Sequence, residues 1–149
     1  MRRYILPVSK KSGRIAERIE SFNGQDLDGH YLGYFDCFNR QEFYEAHEVL
    51  EQLWLADRQG PNGAFYKGLI QLAGAFVHLQ KQRLRPAGAL FKLARDNLTR
   101  YPAVHEQLEV RKVAELIDLW IGRLDAGGYV INPLRDDNLP QLALRPDGA

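Results

Sequence analysis

The chain is 149 residues long, 45% apolar and 26% charged, with a formal net charge of +1 at neutral pH. That is the composition of one ordinary soluble globular domain, and the near-zero charge argues against a strong electrostatic footprint for nucleic acid or an anionic membrane surface. Cys37 is the single cysteine, which excludes an internal disulfide or a multi-cysteine zinc site and fits a reducing compartment.

Residues 1–27 read as a basic, polar N-terminal arm with a weak helical pattern near Ser12–Ser21, docking through Tyr4, Ile5, Leu6, Ile15 and Ile19. Its basic start is not followed by a sustained apolar run, so no signal peptide is expected. No stretch of the chain approaches the roughly 20 apolar residues of a membrane span. A cytoplasmic protein with no membrane contact is expected.

A helical domain is expected over residues 28–126. Asp28 is placed to cap a helix through about Asn39, with Tyr31, Leu32, Phe35 and Phe38 at helical spacing. The aromatic density of this helix exceeds one core stripe. Tyr34 is expected to face outward beside His30 and the flank of Tyr31, which suggests self-association as a symmetric homodimer.

The next helix is predicted from about Gln41 to Ala56. Phe43, Ala46, Leu50, Leu53 and Trp54 fall on one broad side, His47 and Glu51 sit one turn apart at its edge, and Glu48 lies just beyond. Two glycines and a proline break the chain between 57 and 63. The segment Ala64 to about Gln82 is apolar around most of its circumference and should be the central helix, antiparallel to the one before. Its polar side is narrow: Lys67, Gln71, Gly74 and His78.

A further helix starts at Arg85-Pro86, carries the stripe Ala87, Leu90, Phe91, Ala94, Leu98 and Tyr101, and holds Arg95 at the stripe's edge. Gly88 would allow a close helix crossing. The last helix is predicted over Val110–Leu124, with Gly127-Gly128 beyond its end. Residues 127–149 read as an extended C-terminal tail packed on the same domain, and from Pro133 no helical pattern remains. No strand alternation competes anywhere. The fold class is therefore all-α, a compact bundle of five or six helices with a central antiparallel helix hairpin.

Charge is uneven along this bundle. Six acids lie between Asp36 and Arg58, and six bases between Lys81 and Arg100. Two neighbouring helices of complementary sign are the simple explanation, and a basic groove for a phosphate-bearing ligand is the sharper one. Nucleic acid is not favoured, because Phe91 and Tyr101 lie on the apolar stripe instead of among the bases.

The run Glu45-Ala46-His47-Glu48-Val49-Leu50-Glu51 to Leu53-Trp54, then Lys67-Gly68-Leu69-Ile70-Gln71-Leu72-Ala73, then Gly88-Ala89 before Leu90, resembles the family catalogued as domain of unknown function 309. The resemblance covers roughly Asp28 to Tyr101. It implies a small all-α bundle found in prokaryotes and plastids, with Glu45, His47, Glu48, Glu51, Trp54, Lys67 and Gln71 as its characteristic positions. It implies a fold and no particular activity.

Three chemistries compete for these residues. His47-Glu48-x-x-Glu51 is similar to the His-Glu-x-x-His helix of zinc peptidases, but with Glu in place of the second His, and a third ligand would have to come from His78, Glu48 or a water. A bundle-centred di-metal site wants Glu-x-x-His pairs, which this spacing does not offer. No metal and no cofactor are expected, and a metal-assisted hydrolase is kept as an alternative. For acid–base work, Glu51 would orient His47 while Lys67 and Gln71 hold an anionic substrate; no nucleophile accompanies them beyond Cys37, on the preceding helix. In a purely structural or protein-interaction module, His47 would bond Glu51 or Gln71, Trp54 would anchor the core, and Lys67 would pair with Glu48 or Glu51.

Three ionisable groups on one helix and a Lys/Gln/His stripe on the next exceed what helix packing needs. His47, Glu48 and Glu51 are expected to converge with Lys67, Gln71 and His78 in one polar pocket between the two central helices. With Glu45 and Trp54 they form the candidate set for binding a small polar or anionic ligand. Whether any catalysis occurs is left open.

Overall fold

Asp28 starts the first helix as its spacing suggests: its carboxylate accepts from the His30 backbone N–H at 2.7 Å, satisfying one of the donors a helix start leaves over. The computed structural model describes residues 27–145. The arm and its weak helical pattern, all but residue 27, lie outside the described residues, as do residues 146–149. Among the described residues there are five helices, α1 (Gly29–Asn39), α2 (Phe43–Asp57), α3 (Gly63–Gln80), α4 (Leu84–Leu98) and α5 (Val110–Ala126), with a small hairpin of β1 (Val104–His105) and β2 (Leu108–Glu109) before α5. The fold is an all-α bundle. No helix among the described residues is long and apolar enough to cross a membrane.

Helix boundaries differ from the sequence expectation where the backbone turns left-handed. Gln41 (φ 66°) keeps α2 from starting before Phe43, and Gln82 (φ 60°) ends α3 short of its apparent pattern. Tyr101, expected inside α4, lies beyond it. Its hydroxyl donates to the Pro61 carbonyl at 2.8 Å and accepts from the Phe65 N–H at 3.0 Å, so it helps cap the start of α3. The hairpin turns on Glu106 and Gln107, both at positive φ, the requirement of a type I′ turn.

Helix α3 is the centre. Phe43 of α2 stacks on Phe76 near the end of α3, while Lys67 near its start lies over Trp54 near the end of α2. These two contacts fix the antiparallel hairpin. Phe76 is fully buried and meets Phe38, Phe91 and Trp120 edge-on at centroid distances of 5.6, 5.1 and 5.0 Å, a geometry favoured by the ring quadrupoles. One side chain thus joins α1, α3, α4 and α5.

Two expectations are corrected here. Tyr34 does not face outward: it is fully buried and its hydroxyl donates to the Leu69 carbonyl at 2.6 Å. His30 and Tyr31 are buried as well. Because α1 covers both α2 and α3, its buried arc runs from Gly29 through Gly33 and Cys37 to Phe35, about 240° at 100° per residue, with Tyr34 near the middle. This removes the surface on which self-association was expected. Gly88, in turn, makes no helix crossing; a Cβ there would stand 2.8 Å from the Tyr129 ring. The close crossing is at Gly68, where a Cβ would meet Leu98 at 2.8 Å.

The tail from Pro133 is extended but anchored. The Asn39 side chain brackets Leu142, donating to its carbonyl and accepting from its N–H, both at 2.7 Å. Leu142 is buried, and Leu144 forms a bridge with Leu108 of β2.

Candidate functional site

The narrow polar stripe of α3 faces a seam. Helix α2 lies on one side of it and α4 on the other, leaving a cleft of about 300 Å³. Lys67, Gln71, Gly74 and His78 line it from α3, Tyr44 and His47 from α2, and Leu90 from α4; Ile70 and Val77 supply apolar wall.

Four of the eight candidate residues therefore meet in the cleft: His47, Lys67, Gln71 and His78. Two stand directly behind them. Glu51 is 3.2 Å from His47 Nε2, with both side chains partly exposed, and Trp54 is half-buried with Lys67 Nζ 4.4 Å above its ring centroid. Trp54 is thus a platform for a cation more than a core anchor. The ion pair of Lys67 with Glu48 or Glu51 is not formed; Glu51 is turned to His47 instead. Glu45 and Glu48 are not among the residues lining the cleft. Glu48 is about 100° from His47 around α2, and Glu45 about 160°. Glu48 Oε1 is shielded from solvent and has no hydrogen-bond partner among the described residues.

Gln71 is oriented by a residue that sequence reasoning passed over. Asn97 on α4 donates to Gln71 Oε1 at 2.7 Å, which leaves the Gln71 amide N–H groups as donors. The stripe of α4 shows in the sequence through its apolar members, and a polar residue at its edge gives no signal until the helices are paired. Tyr44 was missed for the same reason; its ring lies 5.8 Å from that of His47. At the far end of the stripe, His78 Nδ1 is buried without a hydrogen-bond partner among the described residues. Its pKa lies below the ordinary histidine value, first because burial disfavours the cation and then because of the charges of Arg83 and Lys81.

His47 and Glu51 stand together, but among the described residues no group of three or more His, Cys, Asp or Glu side chains is placed to hold a metal ion. The basic segment also reaches beyond the seam. Arg95 of the basic segment forms a two-pronged bond with Asp118 of α5, at 2.6 and 3.2 Å.

The fold and seam define a small all-α bundle whose central helix presents a polar stripe to a cleft between its two neighbours. Residues 31–90 match the family described as a domain of unknown function (DUF309), so the family recognised in the motif is found where the motif lies. Every residue lining the cleft falls within that matched segment. The chain is also 26% identical to the uncharacterized protein YpuF of Bacillus subtilis (strain 168) over 120 residues, covering 74% of this chain and 67% of that protein. No solved structure matches.

Proposed function

We propose that the seam cleft binds a small amphipathic anion. The observation that carries this is the sign of its polar lining. Lys67 brings a cation, Gln71 brings amide N–H donors, and two imidazoles can donate, whereas Glu45, Glu48 and Glu51 lie off the lining. An anion gains charge-assisted hydrogen bonds in such a place, and a cation would be repelled by Lys67. The walls of Ile70, Val77 and Leu90 favour an apolar body behind the charged head, and about 300 Å³ is at the small end of ligand sites. Together with the single buried thiol, this suggests a cytoplasmic binding protein for a small organic acid.

Calorimetric titration with decanoate tests the reading, with decanol as the uncharged control. Decanoate is expected to bind and decanol to bind at least tenfold more weakly; Lys67→Met should weaken decanoate by about tenfold or more. Equal binding of the two, or indifference to Lys67→Met, would overturn it.

A structural role for the same cluster is favoured by the Gln71–Asn97 and His47–Glu51 contacts. Stability separates the two readings. If His47→Ala and Gln71→Ala each lower the unfolding free energy by several kcal/mol, the cluster is architectural. If both leave it nearly unchanged, the groups are held for a ligand, because functional groups are commonly kept at a cost in stability.

A further inference from the structure

At the pole where α3 ends, α4 starts and α5 ends, two aliphatic side chains stand in solvent. Val130 is 82% exposed and Ile131 65%, the highest values among the large apolar side chains of the described residues. Single exposed aliphatics are ordinary surface, but these two are adjacent and held in place. Asn132 donates to the Leu79 carbonyl at 2.6 Å and to Gln82 Oε1 at 2.9 Å, which ties their loop to the α3–α4 turn. On the other side, Tyr129 takes the Arg85 guanidinium over its ring, 5.3 Å from the centroid.

Basic side chains surround this tip. Lys81, Arg83 and Arg85 come from the turn that Asn132 bonds and from the first turn of α4; all are exposed, and none forms an ion pair among the described residues. Arg123 and Arg135 line a shallow depression together with Ile131. Of the neighbouring acids, Asp125 accepts from the Tyr129 hydroxyl and Asp137 lies 3.6 Å from Arg135, while Asp136 is exposed. The total charge of +1 conceals this local excess. We propose that this pole docks on an anionic lipid bilayer, with Val130 and Ile131 entering the acyl boundary and the basic side chains meeting the headgroups. Reversible attachment takes two such signals together, because a small apolar anchor or a few basic residues alone hold weakly. A nucleic acid would ask instead for exposed rings on which to stack, and the ring at this tip, Tyr129, carries Arg85.

Co-sedimentation of the full chain with phosphatidylglycerol vesicles, compared with phosphatidylcholine vesicles, tests this. Binding to phosphatidylglycerol is expected, with about tenfold weaker binding to phosphatidylcholine and release as added salt screens the basic side chains. Val130→Ser with Ile131→Ser, and separately Lys81→Gln with Arg83→Gln, should each weaken phosphatidylglycerol binding by about tenfold. All four sites are exposed, so the fold should be unaffected. Val130→Trp should bind more tightly, and its added emission should shift to the blue on vesicles. Equal binding to the two lipids, or none to phosphatidylglycerol, would overturn the proposal. So would binding that survives both pairs of substitutions, which would place the contact elsewhere, as on the basic residues of 1–27. Tighter binding to a single-stranded oligonucleotide, indifferent to the Val130 and Ile131 pair, would give the surface to nucleic acid. A dimer in light scattering that the same pair dissolves would give it to a second copy. Either result would overturn the bilayer. The cleft takes no part in these measurements, so their failure leaves the anion reading untouched.

Discussion

Gly74 shows at the scale of one residue how function and stability part company in this molecule. A glycine in a helix interior costs about 1 kcal/mol relative to alanine, yet α3 carries one halfway along its cleft-lining stripe. A Cβ there would come 3.1 Å from a terminal methyl of Leu90, and Leu90 is half-buried and able to yield. Gly74→Ala should therefore raise the unfolding free energy by up to about 1 kcal/mol in denaturant titrations, while Gly74→Leu, which fills the cleft, should abolish decanoate binding. Tyr34 is the opposite case. Its buried hydroxyl bonds the Leu69 carbonyl, burial holds its pKa well above the usual phenol range, and Tyr34→Phe should cost about 1 kcal/mol. His78 gives a pH signature. Its folded pKa is below the unfolded value of about 6.5, so between the two values the unfolded chain binds more protons. Stability is full above about pH 6.5 and falls as pH drops towards the folded pKa. Unfolding curves of His78→Gln should lack that part of the fall; identical pH profiles would show that His78 is unperturbed.

At the scale of elements, the helices were legible because apolar residues recur with the helical period, and their ends were less so. Three of the chain's turns rest on residues that give no turn signal: Gln41, Gln82 and the pair Glu106 and Gln107 all take positive φ, a conformation usually marked by Gly or Asn. The hairpin at 104–109 was invisible for that reason, its strands being two residues each. Glycines were equally ambiguous, since a sequence does not say what a Cβ would meet. The structure separates two helical ones by prediction. Gly122→Ala, with nothing within 4 Å of the added Cβ, should stabilise α5 by about 1 kcal/mol. Gly68→Ala should destabilise by about 1–3 kcal/mol, because Leu98 and Asn97 pack against that site and the α3–α4 crossing would have to widen. Thermal unfolding of the two variants should move in opposite directions.

At the scale of the whole molecule, the stripe on α3 was legible and what faces it was not. Periodicity placed Lys67, Gln71 and His78 on one line, and the hairpin brought His47 to them. Which acids would join depended on the rotation of α2, and that rotation sends Glu45 and Glu48 elsewhere. The contribution of α4, Leu90 and Asn97, required knowing that a third helix closes the seam. The tail follows the same logic: Asn39 holds Leu142 over about a hundred residues of sequence separation, a pairing no local pattern announces. Asn39→Ala leaves that N–H and carbonyl without their partner and should lower the unfolding free energy by about 1–3 kcal/mol, measured by denaturant titration.

The central claim is that the cleft between α2, α3 and α4 is a binding site for an anion with an apolar body. Heteronuclear NMR of the labelled protein during titration with decanoate reads this residue by residue. Saturable shifts are expected at His47, Lys67, Gln71, Gly74, His78 and Leu90, with little change in α5, and they should vanish in Gly74→Leu. Shifts confined to other surfaces, or none at millimolar decanoate, would contradict the account.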